Sequence, residues 1–218
     1  MPKLYTALSA MLFLFSFASS AELRVDFYDL SSYATAEGDV YLYDLESALV
    51  SDAPYLVNHY ELIDFSSNVS TGRDGIFHLN HSLPQSPYSN TGALITGSVY
   101  SAIAQTVTFG IVVDDGAALD INGVSLIRED GHRAFTAFTT TANLQAGWND
   151  LSLLYFNNSG EYNLELYSED NEGNRILLGD IENGGFLTAD LPTPPLTAAA
   201  LLLTFACGIY RKSASNHA

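Results

Sequence analysis

The chain has 218 residues and a formal net charge of −17, with 25 acidic side chains against 8 lysines and arginines. A polyanion of this kind repels nucleic acid and anionic lipid, because both are bound through clustered basic residues. Its single cysteine, Cys207, excludes an internal disulfide framework.

In residues 1–21, Lys3 gives a positive start, an apolar stretch runs from about Ala7 to Phe17, and Ser19-Ser20-Ala21 offers a small-residue cleavage site. This reads as a secretory signal peptide. An uncleaved anchor is the alternative, against which the stretch falls short of the ~20 apolar residues of a span. Residues 22–190 form the expected domain. They hold all 25 acids, five arginines and no lysine, so the formal charge is five minus 25, or −20. Such a domain suits divalent cations, and a bound metal would staple a secreted domain that has no disulfide.

Within the domain, short alternating runs punctuated by Gly, Asn and Asp predict an all-β antiparallel sandwich or barrel. Strands are expected near residues 23–28, 94–100, 106–113, 118–121, 125–128, 134–141, 149–156, 162–167 and 175–178. Residues 39–50 carry Tyr41, Leu45 and Ala48 at helical spacing and form the one expected helix. The Asn-, Ser- and Gly-rich stretch 64–89 is expected to wind over the sandwich as long loops. Asn122-Gly123, two residues that tolerate positive φ, predicts a type I′ hairpin turn.

Asp114-Asp115-Gly116-Ala117 closes the apolar run 106–113 with two adjacent carboxylates. Successive side chains on a strand point to opposite faces, so the pair reaches one ion only if the backbone leaves β geometry between them. A cis Asp114-Asp115 peptide would do so, drawing the Cα atoms to about 2.9 Å. The plain alternative is a solvated turn in which the carboxylates cap backbone N–H groups. No Gly-x-Ser-x-Gly elbow, His-Glu-x-x-His helix or phosphate loop is present, so the chain is not expected to be an enzyme. A glycosidase, which needs only two facing carboxylates, is the catalytic alternative.

After the domain come Leu191-Pro192-Thr193-Pro194-Pro195, an apolar run over residues 196–210, and Arg211-Lys212. This arrangement over residues 191–218 resembles the PEP-CTERM class of bacterial surface-sorting signals, with Pro-Thr-Pro where that class usually has Pro-Glu-Pro. The resemblance implies an exosortase-like sorting transpeptidase as partner and an exported chain at the cell surface or in the extracellular matrix. A plain membrane anchor is the alternative reading of the tail. In either case membrane contact is expected through the terminal segments alone.

Seven motifs in register, from Thr96-Gly97-Ser98-Val99-Tyr100 through Asp114-Asp115-Gly116-Ala117, Asp130-Gly131-His132 and Ala146-Gly147-Trp148 to Tyr155-Phe156-Asn157, resemble the PA14 family. The resemblance implies an antiparallel β-sandwich and a calcium-dependent, lectin-like site. It assigns Asp114, Asp115 and Asn157 as Ca²⁺ ligands, and places Asn158 and Ser159 with them at the bound ligand, a glycan or extracellular polysaccharide. The chemistry is coherent, since calcium takes 6–8 oxygen ligands in loose geometry and sugar hydroxyls can complete the shell. The resemblance also implies that Asp130-Gly131-His132 is a turn and that Trp148 packs at the start of a strand. A structural or protein-contact module of the extracellular matrix is the alternative function.

Overall fold

The computed structural model describes residues 22–67, 77, 81–84 and 89–190. The expected signal peptide and sorting tail lie outside the described residues.

Alternation of apolar and polar residues is realised in two antiparallel sheets. The first has the order β2 (Leu56–Tyr60), β1 (Leu23–Asp29), β4 (Thr91–Ser101), β9 (Gly147–Asn157), β6 (Gly116–Ile121), β7 (Val124–Glu129), with β12 (Thr188–Ala189) also paired to β4. The second has the order β11 (Arg175–Leu177), β10 (Asn163–Glu169), β5 (Gln105–Asp114), β8 (Thr136–Leu144), with β3 (Asp64–Ser66) also paired to β10. Ile95, Leu119, Leu153 and Tyr155 of the first sheet share one buried core with Phe109, Ile111, Leu164 and Leu166 of the second. This is the β-sandwich that the alternation predicts.

All nine expected strands are present. Asn122 at φ 52° and Gly123 at φ 72° make the tight turn between β6 and β7. Two expectations are corrected. The stretch 64–89 is not loop throughout, because Asp64–Ser66 pairs with β10. The helix, α1 (Leu42–Ser51), starts later than expected because Tyr41 is extended at φ −138° and ψ 173°. Its first turn is closed by the Asp44 carboxylate, which accepts from the Tyr41 N–H at 2.8 Å. Burial raises the Asp44 pKa, and that hydrogen bond opposes the rise.

Helix α1 covers part of the outer face of the first sheet. Leu30, Val40, Leu42, Leu45 and Ala48 form a second apolar cluster with Ala118 and Phe156. The end of β9 is therefore buried on both sides, with Tyr155 facing the sandwich core and Phe156 facing the helix. The other end of β9 lacks such a cover. Trp148, expected to be packed, is 39% exposed there.

Leu153 lies at 0% exposure in the middle of β9. Leu153→Ala is expected to destabilise the domain by about 2–5 kcal/mol, read as a lower urea midpoint with an unchanged slope.

Candidate functional site

The site forms where β5 ends, β6 begins and the chain leaves β9. The Asp114-Asp115 peptide between β5 and β6 is cis. Asp115 is buried, and its carboxylate accepts from two backbone amides, Arg133 N–H at 3.1 Å and Asn158 N–H at 2.8 Å. One side chain thus ties the β5–β6 junction to the segment before β8 and to the loop after β9. Asp114 accepts through its backbone carbonyl from the Tyr155 hydroxyl at 2.7 Å. Burial, and then the charges of Asp114 and Asp115, hold the Tyr155 phenol well above its usual pKa, so it stays protonated as the donor.

Asp114, Asp115, Ser159 and Glu161 line one open depression of about 480 Å³, together with His132, Arg133 and Ala134. Asn157 and Asn158 are not in that lining. Asn157 is fully buried at the end of β9, opposite Thr91 of β4. The Asn158 amide is engaged elsewhere: its Oδ1 accepts from Val40 N–H at 3.0 Å, and its Nδ2 donates to Asp39 Oδ1 at 3.1 Å. The Asn158 carbonyl accepts from Asn90 N–H at 2.8 Å.

Sequence reasoning missed Glu161 and the 39–41 segment as parts of this site. Glu161 follows Gly160, whose φ of 88° turns the chain toward the depression; the Ser-Gly-Glu turn was the available signal. His132 sits in the turn expected from Asp130-Gly131-His132. Its Nε2 lies 2.8 Å from the Val40 carbonyl, and because a carbonyl can only accept, Nε2 carries the proton. The imidazole stacks on Tyr41 at 4.6 Å between ring centres, and Tyr41 stacks in turn on Tyr43 at 5.4 Å.

Among the described residues, no group of three or more His, Cys, Asp or Glu side chains converges as a metal site. An ion at this junction would therefore draw on the aspartate pair and on neutral oxygens. Such oxygens are present. The side-chain oxygens of Asn90, Thr91 and Asn163 are shut off from solvent and have no hydrogen-bond partner. All three border the junction: Asn163 is opposite Asp114, Thr91 is opposite Asn157, and Asn90 is bonded to the Asn158 carbonyl. Buried polar atoms left unpaired are costly and rare. Two carboxylates with hard neutral oxygens are the donor set that calcium takes.

The fold is a two-sheet antiparallel β-sandwich like that of PA14 domains. No family model and no curated protein matches the sequence. Among solved structures, the PA14 domain of the MpAFP antifreeze protein superposes with a TM-score of 0.58 at 17% identity, covering 80% of this chain and 94% of that domain. A PA14 sugar-binding domain from an RTX adhesin gives 0.55 at 17% identity, covering 72% and 94%. The Epithelial Adhesin 9 A domain from Candida glabrata, in complex with Galb1-4GlcNAc, gives 0.53 at 14% identity, covering 82% and 93%. At these identities the likeness is one of fold.

Asn158→Ala removes both hydrogen bonds to the 39–40 segment. It is expected to cost about 1–3 kcal/mol and to speed hydrogen exchange at the Val40 amide more than at amides of β10.

Proposed function

We propose that this domain binds glycan through Ca²⁺ held by Asp114, Asp115 and Asn157, as an exported protein of the cell surface or extracellular matrix. The observation that carries this reading is the set of unpartnered buried oxygens at the junction, that of Asn163 opposite Asp114 and those of Asn90 and Thr91 beside Asn158 and Asn157. Calcium bound there would supply a Lewis-acidic centre on which vicinal sugar hydroxyls replace water. The depression beside it opens to solvent, and Ser159 and Glu161 on its wall can read further hydroxyls. The sugar-binding domain of the RTX adhesin and the Epithelial Adhesin 9 A domain in complex with Galb1-4GlcNAc support the ligand class. Residues 1–21 direct export in this reading, and residues 191–218 form a sorting tail whose apolar run is held in the membrane, at least until an exosortase-like transpeptidase acts.

Thermal melting of residues 22–190 with calcium and with chelator tests the ion. Calcium at 100 times its dissociation constant adds about 2.7 kcal/mol, a rise of ~5–10 °C for a domain of this size. The rise is expected in the parent and absent from the Asp114→Asn, Asp115→Asn double variant. A glycan array read with and without calcium tests the ligand. Signal lost with chelator is expected, and no signal in either condition would favour a structural matrix module.

A further inference from the structure

The edge of a sheet is a row of N–H and C=O groups open to pairing with a further strand, and short length, charge and broken register keep an edge from pairing. Most edges of this sandwich are guarded in these ways. β3 and β12 have three and two residues. β2 has five, and its His59 is bonded to Asp190 at 2.9 Å. β11 has three, with Arg175 bonded to Glu169. β7 carries Arg128, paired with Glu46 and Asp130, and Glu129, paired with Arg133, and its ladder with β6 shifts register between Leu119 and Asp120. β8 has none of these guards. It runs for nine residues, Thr136–Leu144, without a charge, a proline or a glycine, and Thr and Phe, which favour extended chain, dominate it.

β8 lies at the end of its sheet and pairs with β5 alone, in unbroken register from Val113 with Thr136 to Gln105 with Leu144. In an antiparallel ladder, alternate residues turn both N–H and C=O away from the partner strand. Among the described residues, none of 136–144 has a backbone hydrogen bond outside the ladder with β5. The chemistry of the edge selects its occupant. Residues 134–149 hold no charged side chain, in a domain with 25 acids and five arginines. Two copies of such a polyanion repel each other, and β8 is the long edge at which they meet without facing carboxylates. The strand is also self-complementary when paired antiparallel about Thr140. Exposed Thr139 then faces Thr141 of a second copy, a favourable cross-strand pair, and the large Phe138 faces the small Ala142. We propose that β8 pairs with β8 of a second copy of this chain, joining the two second sheets into one across a two-fold axis. Such a pairing uses the same patch on both copies and closes on itself, giving a dimer and no filament. It is independent of the ion, the sugar and the terminal segments.

Residues 22–190 hold both sheets and their shared core, so this domain is measured, in chelator, by analytical ultracentrifugation. Over ~1 µM to ~1 mM, the range of transient complexes, the weight-average mass is expected to rise from one copy towards two. The rise should come at lower protein concentration in high salt, which screens the repulsion between copies. Two double variants at exposed positions test the register. Thr139→Lys with Thr141→Lys, and Thr139→Glu with Thr141→Glu, each set like charges face to face about Thr140. Each should melt cooperatively and stay monomeric over the whole range. An equal mixture of the two should recover the dimer, because the lysines of one copy then face the glutamates of the other. A parent domain that stays monomeric throughout would overturn the proposal. So would a variant that dimerises as the parent does, a mixture that stays monomeric, or a mass that climbs beyond two copies.

Discussion

The Asp115 carboxylate, shared between the backbone amides of Arg133 and Asn158, is the interaction on which the upper end of the sandwich depends. Its two acceptor bonds span 18 and 43 residues of sequence, so one buried charge fixes three otherwise separate loops. Charge-assisted bonds to backbone N–H are strong, and they suit a carboxylate that has left bulk water. The Asn158 amide extends the same structure to Asp39 and Val40, and the Val40 carbonyl holds His132. The helix α1 that shields Phe156 therefore hangs from the same junction that lines the depression. Packing on the outer face and geometry at the site are one structure.

This coupling explains why the sheet is covered unevenly. The cluster of Leu30, Val40, Leu42 and Leu45 reaches Ala118 and Phe156, near the junction that anchors the 39–41 segment. Helix α1 is 10 residues long, about 15 Å, whereas β9 extends over roughly 33 Å. A helix tethered at one end of such a strand cannot shield the other. The exposure of Trp148 follows from where the anchor lies and needs no local peculiarity of its own strand.

Much of the architecture was legible because burial on one face writes a period of two into the sequence. Strands β4, β5 and β9 are long enough for that period to be unmistakable, and Asn122-Gly123 marks its hairpin by backbone chemistry alone. β12 was missed because two residues carry no period, and β3 because its three residues open the Asn-, Ser- and Gly-rich stretch that reads as loop. β2 was missed for another reason: its Leu56, Asn58 and Tyr60 are only half-buried, and Val57 is 40% exposed, so the alternation is too weak to stand out from a loop. At the site, the aspartate pair was conspicuous as two carboxylates ending an apolar run. The hooks from Asn158 to Asp39 and Val40 were not, since contacts 119 and 118 residues apart leave no trace in local pattern. Trp148 was misjudged because the family resemblance packs that position at the start of its strand, and only the reach of α1 decides which part of the strand is covered.

The sandwich thus has two chemically different ends. One gathers carboxylates around a depression, with the buried oxygens of Asn90, Thr91 and Asn163 behind it; the other gathers Trp, Tyr, Leu and Ile. An antiparallel sandwich makes this separation easy, because each strand runs from one end to the other and places its loops alternately at both. The junction end can then vary in its loops without disturbing the aromatic end, since the intervening core of Ile95, Leu119 and Leu153 is filled by residues that serve neither.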